Sequence, residues 1–171
     1  REVKGLAARW EILLLIRQNR FEEAEKRFRD RMLHPEMEKE SGLIEELVRQ
    51  KRSARTKSPL AAGVLSAILP GAGQCYNERV EDGAYSFLLN ALFILAAAKA
   101  YDSDNAGLGV ILTLFELGWN TGGIYGAVGG AHKFNRKVDE SHFRSGMERL
   151  NLRESEIARP GGVSVMFTYP F

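Results

Sequence analysis

The sequence predicts an all-α membrane protein with a helical, repeat-like arm over residues 1–57. A membrane domain follows over 58–137, built of a re-entrant segment and a transmembrane helical hairpin. Residues 138–171 complete it with an amphipathic helix and an extended tail. The first observation behind this reading is charge segregation. The 171 residues carry 24 Lys and Arg and 22 Asp and Glu, yet between Ser58 and Ala131 the only bases are Arg79 and Lys99. The acids there are Glu78, Glu81, Asp82, Asp102, Asp104 and Glu116. The second observation is that this stretch holds three apolar runs in series, more than a soluble chain of this size can readily bury. The third is helical periodicity in the charged segments around it. Whole-chain averages of 44% hydrophobic and 27% charged residues hide the segregation, because they match an ordinary soluble protein.

Composition also excludes several classes. The apolar content is too high for a disordered chain. A net charge of +2 gives no electrostatic footprint for nucleic acid. A single cysteine, Cys75, allows neither an internal disulfide nor a thiolate metal cluster. The sequence opens on Arg1 without a methionine, so an upstream signal or domain is compatible with it.

In the arm, Leu6, Trp10, Leu13, Leu14 and Arg17 fall at helical spacing, and Gln18-Asn19-Arg20 marks a turn. Phe21, Ala24 and Phe28 then share one helical face. The Asn-Arg-Phe-Glu-Glu-Ala segment with Phe28 four residues on resembles the middle of a tetratricopeptide repeat, where a small Ala lets two antiparallel helices approach. No second 34-residue copy follows, and the alternative is a helical hairpin outside that family. After His34-Pro35 a third helix is expected, with Leu43, Ile44, Leu47 and Val48 on its apolar face. It runs into the bases Lys51, Arg52, Arg55 and Lys57.

Residues 60–69 are uncharged and small or aliphatic, and Pro70-Gly71-Ala72-Gly73 stops them. Ten helical residues rise about 15 Å, half of a hydrocarbon core, so this run is read as re-entrant or interfacial rather than spanning. Residues 83–98 carry no charge, and 106–131 carry only Glu116. The polar link Asp102-Ser103-Asp104-Asn105 joins these two runs, which are therefore expected to form the transmembrane hairpin. A buried helical pair of a soluble protein is the alternative. Basic clusters flank the block: Lys51, Arg52, Arg55 and Lys57 before it, Lys133, Arg136 and Lys137 after it, while the inter-helix link has none. By the positive-inside rule both flanks lie on the cytoplasmic side and the number of crossings is even. This places the protein in a bacterial inner membrane, with periplasmic flanks as the alternative where an export signal precedes Arg1.

Beyond His132 the chain turns polar again. An amphipathic helix is expected from Val138 to Leu152, with Phe143, Met147 and Leu150 on one face, until Pro160-Gly161-Gly162 ends it. At the end Val163, Val165, Phe167, Tyr169 and Phe171 alternate, as on one face of a strand. The pattern resembles the last strand of outer-membrane barrel proteins and is expected to offer itself to a partner's sheet edge. The alternative is a frayed apolar end.

Three sets of residues stand out for mechanism. Gly118, Gly122, Gly126 and Gly130 recur every four residues, a small-xxx-small series that lets a neighbouring helix approach in a bilayer. The expected neighbour is the helix over residues 83–98 of the same chain; the alternative is another membrane protein or a second copy. Glu116 and Asn120 lie on one helical face, and Asn90 sits mid-way in the other span. They form a candidate membrane polar site, read as a hydrogen-bond clamp or, alternatively, as a protonatable or ion-sensing group. Pro70, Gly71, Gly73, Gln74 and Tyr76 form the candidate re-entrant turn.

That turn carries a second resemblance. Ser58-Pro59-Leu-Ala-Ala-Gly63, Leu65-Ser66, Pro70-Gly-Ala-Gly-Gln-Cys-Tyr-Asn77 and an acidic residue before Gly83 resemble a small bacterial membrane domain of unknown function. It is similar in outline to two-transmembrane-helix domains, over about residues 58–136. Cys75 stands where the pattern carries an aliphatic residue, and Glu78-Arg79 where it carries Gly-Arg. The resemblance implies tetratricopeptide-like helices in front and no established reaction.

No catalytic, metal or cofactor residues are expected. His34, His132 and His142 lack ligand spacing, and the glycine-rich turn lacks the Lys-Ser/Thr of a phosphate loop. The functional expectation is a non-enzymatic membrane accessory or scaffold subunit, with the bilayer and other membrane subunits, or itself, as partners. Alternatives are a small oligomeric channel or transporter element using Glu116, and an assembly factor for outer-membrane proteins.

Overall fold

The computed structural model describes residues 2–31 and 41–152. Every regular element among them is helical: α1 (Glu2–Arg17), α2 (Phe21–Arg31), α3 (Ser41–Arg52), α4 (Pro59–Ile68), α5 (Ala72–Tyr76), α6 (Val80–Asp102) and α7 (Ala106–Arg149). The region around Pro35, the Pro160-Gly161-Gly162 break and the expected strand from Val163 to Phe171 lie outside the described residues. The chain divides into two compact units, one of residues up to Ala54 with those from Val138 on, the other from Arg55 to Lys137.

The first unit is organised as a water-soluble protein is. Trp10, Ile12, Leu13 and Ile16 of α1, Ala24 and Phe28 of α2, Ile44, Leu47 and Val48 of α3, and Met147 and Leu150 of α7 form one buried core. The turn between α1 and α2 places Asn19 at φ 61°, a conformation that Asn tolerates better than most residues, and Arg20 N donates to Leu15 O at 2.9 Å. Ala24 is wholly buried, as a close helix approach requires. The Trp10 ring lies 6.3 Å from Phe143, and the Arg17 guanidinium sits 4.4 Å over Phe143. Lys51, nearly buried, forms an ion pair with Asp139.

The expected separate helix from Val138 to Leu152 is instead the last part of α7, which runs unbroken for 44 residues. Residues 132–137 contain no Gly, Pro or capping residue arrangement that would stop it. Helix 138–149 thus belongs with the arm's core rather than to a third region.

The second unit begins with Ser58, whose Oγ accepts from Ala61 N at 3.2 Å, with Pro59 in the first turn of α4. Gly71 takes φ +91°, and a Cβ there would fall on the Gly83 carbonyl oxygen, so only glycine fits on both counts. The chain then returns through α5. Ser58 N donates to the Tyr76 hydroxyl at 3.0 Å, and Lys57 Nζ lies 3.2 Å from Glu78 Oε1, so both ends of the 58–76 excursion meet.

Helices α6 and α7 run antiparallel. Tyr101 lies against Gly109 and Thr113, Phe93 stacks on Phe115 at 6.4 Å, and Ser86 approaches Gly123. Asn105 Oδ1 accepts from Leu108 N at the start of α7, and Asp104 holds φ 54° in the link. Among the described residues, one helix is long and apolar enough to cross a membrane, α6, with a mean hydropathy of 1.5 over its most apolar stretch. The expected second span, residues 106–131, is not such a helix. Glu116, Asn120 and its many glycines, whose hydropathy is near neutral, dilute the aliphatic side chains of α7.

Candidate functional site

The second unit has the opposite partition from the first. Its buried polar side chains, Ser66, Gln74, Asn77 and Asn90, are the buried polar residues of the described chain. The buried hydrophobic positions beside them are small: Ala62, Ala127 and Ala131. Every large hydrophobic residue that stands exposed, among the described residues, lies between Leu60 and Tyr125. Ile68 at 78%, Leu60 at 77% and Leu95 at 68% would be costly to leave in water.

The polar interior is a connected set of bonds that fixes the turn to α7. Gly73 N donates to Ser66 Oγ at 3.1 Å, Ser66 Oγ donates to Gln74 Oε1 at 2.9 Å, and Gln74 Nε2 donates to Gly123 O at 3.0 Å. One helical turn further along α7, Asn77 Nδ2 donates to Ala127 O at 2.7 Å. Asn135 acts as a peptide mimic: its Oδ1 accepts from Lys57 N at 2.7 Å and its Nδ2 donates to Lys57 O at 2.8 Å. The Lys57 ammonium rests about equally over the Tyr76 and Phe134 rings, at 5.0 and 5.1 Å. The segments on either side of this unit's apolar block, 57–58 and 134–135, therefore meet at one end, and the 103–105 link lies at the far end of α6.

Glycine supports this packing at positions outside the expected quartet. A Cβ on Gly73 would meet Ala62 O and Ser66 Oγ, and come within 2.8 Å of Ala127 Cβ. One on Gly83 would meet Cys75 Sγ, and one on Gly63 would lie 3.0 Å from Val128 Cγ2. Of the quartet, Gly130 alone packs within the chain, against Asn77 Nδ2 at 2.8 Å. Gly118, Gly122 and Gly126 meet nothing within 4 Å, so they are not packed on α6 as expected. The reason is helical drift. At about 100° per residue, each step of four advances about 40°, and three steps carry Gly130 roughly a third of a turn from Gly118.

These open glycines floor a groove of about 810 Å³ between α6 and α7. Tyr85, Ser86 and Leu89 form one wall, and Leu114, Phe115 and Trp119 belong to the other helix. Arg79 and Asp82 stand at one end, joined by a 2.7 Å bond from Arg79 Nε to Asp82 Oδ2.

Glu116, Asn120 and Asn90 are not joined to one another by a hydrogen bond among the described residues. Asn90, 1% exposed, donates from Nδ2 to Ser86 O at 2.6 Å and leaves Oδ1 without a protein partner. Glu116 Oε2 is likewise buried without one. No group of three or more His, Cys, Asp or Glu side chains able to hold a metal ion occurs among the described residues.

Ser66, Asn77 and Arg79 belong to the sequence pattern of residues 58–83 but not to the candidate site residues, and Asn135 belongs to neither. Ser66 and Asn77 carried a usable signal, being polar positions inside an apolar stretch, where a buried polar side chain has to find a partner. Asn135, set among bases, carried none. No family model, curated protein or solved structure matches this chain.

Proposed function

We propose that this chain is a non-enzymatic accessory or scaffold subunit of a membrane, with residues 55–137 embedded in the bilayer and the other unit serving as its protein-docking arm. The observation that carries the reading is the inverted partition of the second unit. It holds polar and small side chains inside and large aliphatic and aromatic ones outside. In a bilayer this costs nothing at the surface, and the interior hydrogen bonds satisfy groups that lipid cannot. The apolar band has the right height. Tyr85 and Tyr101, both exposed, are sixteen residues apart on α6, about 24 Å, the spacing of aromatic side chains near two interfaces.

Lys57, Arg79, Lys133, Arg136 and Lys137 then form a basic rim at the end where the two flanks meet, which the positive-inside rule assigns to the cytoplasm of a bacterial inner membrane. Re-entry of residues 58–76 followed by α6 and the first part of α7 gives the even crossing number that such a rim requires. The packed core of α1, α2 and α3 supplies a charged outer surface suited to a protein partner, in keeping with the tetratricopeptide-like pattern around Ala24. Ser66, the buried hydroxyl residue among the described residues, is committed to structural bonding, which favours a scaffold over an enzyme.

The test is extraction of the full-length chain from its host membrane. Retention in the pellet after an alkaline carbonate wash, with release only by detergent, is expected. Release by carbonate alone would refute embedding.

A further inference from the structure

Resting on that membrane reading, we propose that the groove between α6 and α7 is a phospholipid site, with one acyl chain over the glycine floor and the phosphate at Arg79. The dimensions select this occupant. From Gly126 to Leu114 the lining advances twelve residues along α7, about 18 Å. That is close to one leaflet of the hydrocarbon core, about 15 Å, and well short of the roughly 30 Å over which a partner helix would cross. A volume of about 810 Å³ lies in the range of small-molecule sites.

The floor is suited to a flexible chain. Gly118, Gly122 and Gly126 place no side chain in the groove, while Tyr85, Leu89, Phe115 and Trp119 bound it with apolar surface. Gly123, in contrast, faces Ser86 Oγ at 3.6 Å and closes the back. The mouth supplies charge complementarity. Arg79 precedes the first turn of α6, beside Glu78 and its ion pair with Lys57, at the charged end of the unit. Its guanidinium has several N–H donors and spends one on Asp82, so phosphate oxygens can be bound by the rest. Asp82 beside it complements the ammonium of a zwitterionic headgroup such as phosphatidylethanolamine.

The experiment is native mass spectrometry of the full chain, purified in mild detergent and incubated with phosphatidylethanolamine, phosphatidylglycerol or diacylglycerol. Flotation of the same protein with phospholipid vesicles runs beside it. One retained phospholipid per chain is expected, with phosphatidylethanolamine held better than phosphatidylglycerol and diacylglycerol least. Gly122→Leu, which fills the groove, should reduce the adduct about tenfold while flotation persists. Arg79→Gln, which leaves the groove open, should abolish the preference for phospholipid over diacylglycerol. Equal adducts in wild type and Gly122→Leu, with flotation intact, would overturn the lipid site alone. A wild-type dimer that Gly122→Leu dissociates would also overturn it, giving the groove to a second copy. Failure of the wild type to float would instead refute the membrane reading on which the site rests.

Discussion

Gly73→Ala and Gly122→Ala make the same chemical change at two helical glycines and should have opposite effects. At Gly73 the new methyl falls on Ala62 O and Ser66 Oγ and within 2.8 Å of Ala127 Cβ, two of these being backbone or backbone-proximal atoms that cannot swing aside. Helix α5 has to shift outward, which stretches the 3.1 Å bond from Gly73 N to Ser66 Oγ and the 3.0 Å bond from Gln74 to Gly123 O. Overpacking costs about 1–3 kcal/mol, and each buried polar group left unpaired about 1–3 more. With the proposed bilayer placement such hydrogen bonds sit toward the low end of that range, so a total of about 3 kcal/mol is expected. At Gly122 no atom lies within 4 Å of the new methyl, and the better helix propensity of Ala stabilises by up to about 1 kcal/mol. Thermal unfolding of the two variants in one detergent, followed by far-UV circular dichroism, measures both. Gly73→Ala should melt on the order of 10 °C lower and Gly122→Ala at or slightly above wild type. Equal melting of Gly73→Ala and wild type would refute the packing argument, and a loss at Gly122 matching that at Gly73 would refute the open face.

Further expectations follow from single contacts. Asn135→Ala removes both bonds to the Lys57 backbone and should cost about 1–3 kcal/mol, seen as faster amide exchange at Lys57 with α1 unaffected. Ala24→Leu adds volume to a wholly buried site between α1 and α2 and should cost about 1–3 kcal/mol in urea unfolding, read by Trp10 fluorescence in a Trp119→Phe background; no loss would mean that Ala24 is not a close-packing position. In the same assay pH reports on His142. Burial, and secondarily Lys51, holds its pKa below the ordinary histidine value, with Arg17 and Asp139 the other charged groups around it. The folded chain therefore binds fewer protons at this site than the unfolded chain. The stability it contributes is complete above the unfolded value, about 6.5, and declines as pH falls through 6.5 toward the lower folded value. His142→Gln should remove that part of the slope between pH 7 and 5.5; an unchanged slope would assign it to other groups.

Helix existence was legible in the sequence because its causes are local. The periodicity of Phe21, Ala24 and Phe28, the Ser58-Pro59 start and the Pro70-Gly71 stop each depend on neighbours within a few residues. The face on which α7 packs was not legible. A run of glycines every four residues looks like one stripe, but the drift of the helix turns Gly130 into the interior while Gly118, Gly122 and Gly126 stay outside. The seam is instead made by Gly123, Ala127, Gly130 and Ala131, at steps of four, three and one, and only the positions of Gln74 and Asn77 in space distinguish that set from the other. The continuation of α7 past Lys137 was hidden for a similar reason: nothing local ends the helix, and only the core around Trp10 and Leu13 shows where residues 143–150 belong.

Hydropathy alone also underdetermines the second unit, since one helix of sufficient length and apolarity can belong to the core of a soluble protein. The property that bears on the choice is which side chains that helix hides. Only 22% of the most apolar stretch of α6 is buried, and what the helix buries is Gly83, Asn90, Ala97 and Ala100, not its Leu, Ile and Phe residues. A soluble core helix would show the reverse, because burying large aliphatic groups is what stabilises it in water. In the first unit the reverse holds: Trp10, Ile12 and Ile44 are at most 2% exposed. The two units therefore partition their side chains in opposite senses, and changing the outward face of α6 tests the proposed membrane placement. Replacing Leu88, Leu92 and Leu95, all more than half exposed, by Gln should leave the folded interior unchanged and stop the chain from entering vesicles. If the triple variant still floats with vesicles, the outward aliphatic face of α6 is not what holds the protein in the bilayer.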